Sequence, residues 1–358
     1  MIPPKIDNLA TEAIDKQIFP GIEILVADND SVLFHKAYGY TAVGDKKKPL
    51  GKNFLFDLAS LTKPLATTCA ILHLISRKKL QLDDMLGKFI PEFKDKNSRL
   101  INLVHLMTHT SGLPDWVALY EPEYNAETGW KKLMNTPLIH KPGTCTVYSC
   151  LGYILLAEIV RRISGESLKN YCIKNLYYPL GLEYLTFNPL EDNIDIEIVP
   201  TGFCPHRQKD LSGIVHDENA GLFNGEGGNS GLFGTAQNIH RFCLALLSGG
   251  ELDGVRILPK DLVGKMFRNH NPPTLIPRSL GWDIKLGKAD YWSCSSLMPD
   301  GSIGHLGFTG TSLWMDPQTK RIILLLSNRV LISREGNIPQ MREFRPLMHS
   351  LIISSLFP

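Results

Sequence analysis

No apolar run in this chain approaches the ~18 residues that a membrane span requires; a piece such as Ile322-Ile323-Leu324-Leu325-Leu326 has the length of a buried strand. Charge of one sign is not in excess: 38 Lys+Arg face 36 Asp+Glu, a net charge of +2. That balance gives no footprint for nucleic acid or an anionic membrane. Short basic pieces, Lys46-Lys47-Lys48 and Arg77-Lys78-Lys79, read as solvated loop or helix ends. No C-x-x-C pair occurs, and the seven cysteines (69, 145, 150, 172, 204, 243, 294) are scattered and odd in number. Reduced thiols in a cytoplasmic protein are therefore expected, or a periplasmic protein if a leader has been removed. The first 21 residues lack the apolar core and cleavage site of a secretory signal. Also missing are G-x-S-x-G, H-E-x-x-H, the P-loop and G-x-G-x-x-G. His105/His109 and His216-Asp217-Glu218 do not have metal-site spacing, so no metal and no cofactor is expected.

What is present is ordinary for a soluble globular protein: 358 residues, 43% hydrophobic and 21% charged. The chain shows no repeat, low-complexity stretch or Pro/Gly/Ser linker, so one domain over 1–358 is expected. Residues 7–18 read as an amphipathic helix. Ile22–Ala27 and Val32–Tyr38 read as a hairpin around Asp28-Asn29-Asp30. From about 60 to 190 the signals are helical: a central helix from Ser60, a short one at Asn102–Thr108, then Leu151–Ile163 and Glu166–Leu176. Strands return after about 230, at Gly231–Phe233, Leu280–Ile284, Ser302–Gly307, Thr311–Met315 and Arg321–Ser327. Helices are expected at 236–248 and Arg345–Leu356. The first and last segments thus look like α plus antiparallel β, with a helical block inserted between them.

Within that block, Ser60-Leu61-Thr62-Lys63 reads S-x-x-K. A serine hydroxyl is a poor nucleophile without a base in reach, and residues i and i+3 share one helix face. Phe54 to Ile75 is apolar on nearly every side, which marks a buried helix; Pro64 is tolerable in its first turn. Burial would lower the pKa of Lys63 and favour its use as a base. A structural N-cap serine fits the same position. Ser76-Arg77-Lys78-Lys79 has the same pattern in a solvated basic run, and receives no function.

Two further segments could complete a site that acylates a serine. In Thr146-Val147-Tyr148-Ser149-Cys150, Tyr148 precedes an apolar helix and could relay a proton; a packed, capped tyrosine is the other reading. In Ser302-Ile303-Gly304-His305-Leu306-Gly307-Phe308-Thr309-Gly310-Thr311, the glycines suit a strand edge approached closely by another backbone or a ligand. There the N–H groups of Phe308 and Ser60 could bind an acyl carbonyl, with His305 facing the same cleft. A glycine-rich turn with a surface histidine is the alternative.

Taken together, SLTK, YSC and HLG, in this order, resemble the three active-site motifs of the serine β-lactamase and penicillin-binding superfamily. FDLASLTK, HLMTHTSGLP, YSCLGYILLAEIV, YYPLGL, GLFGTAQNIHRF and GHLGFTGTSLWMDP extend the likeness from about Pro20 to Asn328. It is nearest to the class C β-lactamase-like branch, which includes esterases and DD-peptidases. The resemblance implies an α/β (α+β) fold: an antiparallel sheet flanked by terminal helices, with an inserted all-α subdomain and a cleft between. The α/β lobe would take about 1–59 and 230–358, and the helical lobe about 60–229. It implies Ser60 as nucleophile, Lys63 as base or electrostatic partner and Tyr148 as general base and acid. It implies the Ser60 and Phe308 N–H groups as the oxyanion hole, beside Gly307, and His305 at the position usually held by lysine. It implies a small-molecule ester, amide or β-lactam as partner and carries no signal of oligomeric state.

Two departures qualify the likeness. Cys150 stands where the family usually has asparagine, and a thiol is a poor hydrogen-bond partner for an amide. His305 is mostly neutral at pH 7 unless perturbed, which weakens recognition of a carboxylate. Both favour ester or small-amide hydrolysis over β-lactam hydrolysis. The Cys150 departure also opens an alternative, a sensor-like protein that acylates without turnover. Glu166-x-x-x-Asn170 resembles the class A deacylation motif but reads better as a helix N-terminus. Loops around 112–125, 203–230 and 285–300 are expected to wall the cleft, with Trp116, Tyr120, Trp282 and Trp292 lining it or in the core.

Overall fold

The computed structural model describes residues 4–192, 194–287 and 293–357. Its centre is a six-stranded antiparallel sheet. The strands are β1 (Gly21–Asp28), β2 (Ser31–Gly39), β3 (Asp283–Ile284), β4 (Ile303–Leu306), β5 (Ser312–Asp316) and β6 (Arg321–Ser327). Their spatial order is β3-β4-β5-β6-β1-β2, so the chain's two ends meet where β1 pairs with β6. Ile24 lies opposite Leu325, and Trp314 opposite Ile323.

Period-two alternation assigns the two faces. Ile22, Ile24, Val26, Trp314, Ile323 and Leu325 face two terminal helices, α1 (Pro4–Asp15) and α5 (Ile338–Leu356). Phe19 meets Phe344 edge to face there, with ring centroids 5.0 Å apart. Leu25, Leu313, Met315, Ile322, Leu324 and Leu326 face the other way, into the main core. That core also takes α2 (Cys69–Ser76), α3 (Cys150–Ser164) and α4 (Ala236–Leu247).

Boundaries differ from expectation for identifiable reasons. The first helix lies three residues earlier than 7–18, because Gln17 takes a left-handed φ of 54° and ends it. The last begins at Ile338, ahead of Pro346, because burial of Met341 and Phe344 outweighs the interior proline. Of Leu280–Ile284 only Asp283 and Ile284 pair as strand; Ser279 N–H bonds Trp282 O in a turn, with Gly281 at φ +84°. The inserted block is helical at its centre but also carries short strands at Leu185–Phe187, Gly202–Cys204 and Lys209–Leu211. Leu185–Phe187 joins Leu232–Gly234 and Phe56–Asp57 in a small sheet beside the serine segment.

Candidate active site

Ser60 does not open an ordinary α-helix. It sits in a 3-10 turn, Ala59–Leu61, followed by a π-helical stretch at Lys63–Thr68 and then α2. Pro64 falls at the start of the π stretch; such π segments are frequent at functional sites. Ala59 holds a left-handed φ of 47°, a conformation that costs energy for a residue with a Cβ. Surrounding bonds enforce it. Asp57 Oδ1 accepts the Ala59 N–H at 2.8 Å, and Thr62 Oγ1 donates to Ala59 O at 2.6 Å. Asp57 also accepts the His216 N–H through Oδ2 at 2.8 Å, and its carbonyl accepts Thr309 Oγ1 at 2.9 Å. Burial pushes the Asp57 carboxyl up to about 6. One buried residue thus ties the serine turn to the loop at 216 through its carboxylate and to the strand edge at 309 through its carbonyl.

Lys63 is fully buried. Its Nζ donates to Ser60 Oγ at 3.0 Å and to Asn229 O at 2.9 Å, and lies 3.7 Å from Cys150 Sγ. The Tyr148 ring centroid is 4.9 Å away. Burial alone lowers the lysine pKa, as the sequence suggested, but Cys150 and Tyr148 outweigh it and the net shift is upward. The ammonium form is therefore favoured. The Tyr148 phenol is also raised, by burial first, with Lys63 opposing; its hydroxyl interacts with both Lys63 and Ser60. Burial raises the Cys150 thiol as well.

A clamp holds Tyr148. His109 O accepts the Val147 N–H at 2.9 Å, and His109 Nδ1 accepts the Ser149 N–H at 3.0 Å. Ser149 Oγ donates to Pro114 O at 2.6 Å, and Cys150 N–H to Asp115 O at 3.0 Å, at the start of α3. The segment from His109 to Asp115 therefore grips both sides of the tyrosine. Burial drives the His109 pKa well down, which matches a ring that accepts through Nδ1.

On the opposite wall, His305 is buried on β4 and its Nδ1 bonds Leu306 O at 2.8 Å. The Nδ1–H donates, so Nε2 is the free lone pair, and it is buried with no partner among the described residues. Burial holds the imidazole well below its ordinary pKa, hence neutral. Gly307 N–H bonds Thr311 O at 2.9 Å. Phe308 follows, 39% exposed. The Ser60 amide is in the first turn of its 3-10 helix, where main-chain N–H groups have no intrahelical acceptor. Among the described residues neither it nor the Phe308 amide donates to a neighbouring group.

Two cavities, of about 340 and 330 Å³, meet at this point. Ser60, Tyr148 and Phe308 line both of them. Cys150 and Trp116 line the first, and His305 and Gly307 the second. Tyr120 and Trp282 are buried in the core, and Trp292 lies outside the described residues. Asp57, His109, Asn229, Arg278 and Arg329 reach the site without having been singled out for it. The one signal available was a charged Asp57 inside an apolar run. The decoys separate cleanly. Ser76 Oγ bonds His73 O at the end of α2, with Lys79 exposed. Glu166 pairs with Lys174, and Ser167 caps its helix by accepting the Asn170 N–H. No metal-binding cluster and no helix long and apolar enough to cross a membrane occur among the described residues.

A family model described as Beta-lactamase matches residues 6–343. The chain belongs to the β-lactamase family. Proteins of Salmonella typhimurium and Salmonella typhi named "Putative D-alanyl-D-alanine carboxypeptidase" are 28% identical to it over 348 residues, spanning 87% of this chain and 79% of theirs. Among solved structures, an octameric penicillin-binding protein homologue from Pyrococcus abyssi superposes with a TM-score of 0.75 at 20% identity, covering 99% of this chain and 77% of that one. EstCE1, a hydrolase with promiscuous acyltransferase activity, gives 0.72 at 21%, covering 96% and 98%. Simvastatin synthase (LovD) from Aspergillus terreus gives 0.73 at 20%, covering 99% of each chain. This β-lactamase-family chain is a serine hydrolase enzyme.

Proposed function

We propose that the enzyme hydrolyses small ester or amide substrates through an acyl-enzyme on Ser60, in the manner of the class C-like branch. The observation that carries this is the Lys63 Nζ to Ser60 Oγ contact of 3.0 Å at the meeting of two cavities, with Tyr148 alongside. The Lys63–Tyr148 pair takes the Ser60 proton as Oγ bonds the acyl carbon. The oxyanion is met by the N–H groups of Ser60 and Phe308. The bond to the leaving nitrogen or oxygen then breaks, and the pair returns the proton to it. Water adds to the acyl carbon by the same transfers, releasing the acid and restoring Ser60 Oγ–H. A neutral His305 and a thiol at 150 support simple esters and amides over β-lactams. The unpaired cysteines support a reducing, cytoplasmic setting.

The experiment is labelling with a fluorophosphonate and location of the adduct by mass spectrometry. A modified Ser60 is expected; a folded protein left unlabelled there sinks the reading. The Cys150 thiol favours a second reading, a penicillin-binding sensor that acylates and stalls. A persistent adduct without multiple turnover of p-nitrophenyl esters would select it.

A further inference from the structure

The two cavities that share Ser60 carry opposite charge. In the first, Glu218 is neutralised by Arg334, which donates to its two oxygens at 2.6 and 3.0 Å. That leaves the carboxylates of Asp217 and Glu335, which have no ion-pair partner among the described residues. Asp217 Oδ1 is used once, by the Ala220 N–H at 2.7 Å. In the second cavity, Arg278 is ion-paired with Asp283. Arg329 is not paired with any carboxylate among the described residues. It is 3% exposed, and its hydrogen bonds all leave from Nη1, to Ser333 O, Arg334 O and Asn337 Oδ1. Its guanidinium stands 4.6 Å from the Phe308 ring centroid, against the wall the cavities share. A buried cation without a counter-charge is costly, and burial pushes the Arg329 pKa down to about 10. His305, whose buried Nε2 acceptor has no partner among the described residues, lines the same cavity.

We propose that the substrate is a zwitterionic amide of dipeptide size, its ammonium group facing Asp217 and Glu335 and its carboxylate facing Arg329. This deepens the acyl-enzyme reading and rests on it. The scissile carbonyl sits over Ser60, where the cavities join. The acyl part carries the ammonium into the acidic cavity. The leaving amino acid carries its carboxylate to the edge of Arg329 not held by Nη1. The N–H of the leaving group is the donor that His305 Nε2 lacks, which selects an amide over an ester on that side. Each cavity is at the small end of ligand pockets, matching one residue-sized group apiece. The carboxylate supplies the counter-charge that Arg329 is missing.

The test is kcat/KM for alanyl-alanine of both configurations, its N-acetyl form, its C-terminal amide and the doubly blocked form, followed by amine release. The free dipeptide of one configuration is expected to exceed each blocked form at least tenfold. Arg329→Gln is expected to abolish discrimination between free acid and amide, with Arg329→Lys restoring part of it. Asp217→Asn, which preserves the helix cap, is expected to abolish discrimination between free amine and N-acetyl. Equal cleavage of the doubly blocked form overturns the proposal, as does no cleavage of the free dipeptide by an enzyme that turns over neutral esters. Should Arg329→Gln fail to fold, the substrate series on the unaltered enzyme decides. Fluorophosphonate labelling of Ser60 separates the failures: labelling without charge preference removes only the zwitterion, and absent labelling removes the acyl-enzyme.

Discussion

The imidazole of His109 lies against the ring of Tyr148, centroids 4.4 Å apart, while its Nδ1 accepts the N–H of the next residue, Ser149. The two contacts fix both the backbone and the ring plane of the tyrosine. His109→Ala removes them together and leaves a buried N–H unpaired, at a cost of about 1–3 kcal/mol. The expected outcome is a lower melting temperature and a kcat reduced tenfold or more, with KM changed far less. Steady-state kinetics beside a thermal melt check this. A purely structural role for His109 predicts a lost melting temperature with kcat per folded molecule intact.

Rate should climb with pH. Net shifts raise both Lys63 and Tyr148, so the resting pair is ammonium and phenol, and one proton must leave before the pair can accept that of Ser60. Below the apparent pKa of the coupled pair, kcat/KM on a neutral ester is expected to rise about tenfold per pH unit. His305 and His109 are held well below their ordinary values, so neither adds a limb between pH 6 and 8. A flat or falling profile over that range contradicts this account of the base.

The longer strands of the central sheet were legible because their signals are local, as were the three segments that the structure brings to the two cavities. Alternation and the Asp28-Asn29-Asp30 turn marked the β1–β2 hairpin, and Arg321–Ser327 was bounded correctly at both ends. What could not be read depends on contacts between distant positions. The π stretch after Lys63 is stabilised by bonds such as Thr67 Oγ1 to Gly228 O. Asp57 matters because residues 216 and 309 come to it. The upward Lys63 shift required knowing that Cys150 and Tyr148 converge on a lysine whose burial was foreseen. Arg329 gains a role only when the last strand brings it behind Phe308.

Cys150 offers Lys63 only a sulfur at 3.7 Å. Cys150→Asn introduces an oxygen acceptor and an amide donor at the first position of α3. Turnover of amide and β-lactam substrates is expected to rise severalfold relative to p-nitrophenyl esters, because an amide side chain can hold both the ammonium and a substrate amide. The ratio of nitrocefin to ester kcat/KM is the measurement. An unchanged or lower ratio in a variant that still labels at Ser60 shows that the thiol is not what limits amide chemistry.

Gly307 has no room for a side chain. A Cβ there would come within 1.9 Å of Thr311 Oγ1 and 2.8 Å of Leu58 O. Thr311 Oγ1 itself bonds Leu58 O at 3.3 Å, so the glycine sits where the β4 edge touches the segment leading into the Ser60 turn. The two amides proposed as the oxyanion hole are on opposite sides of this contact, Ser60 after Leu58 and Phe308 after Gly307. Gly307→Ala must therefore push them apart. Overpacking costs about 1–3 kcal/mol of stability, and losing the geometry of one oxyanion donor lowers kcat about 10²–10³-fold. Adding Thr311→Ala removes the nearer obstruction but not Leu58 O, so only part of the activity should return. Rates of p-nitrophenyl ester hydrolysis for the three proteins, each compared at its own folded fraction, check the ordering. If Gly307→Ala retains full kcat, the strand edge at Phe308 does not contribute to the oxyanion hole.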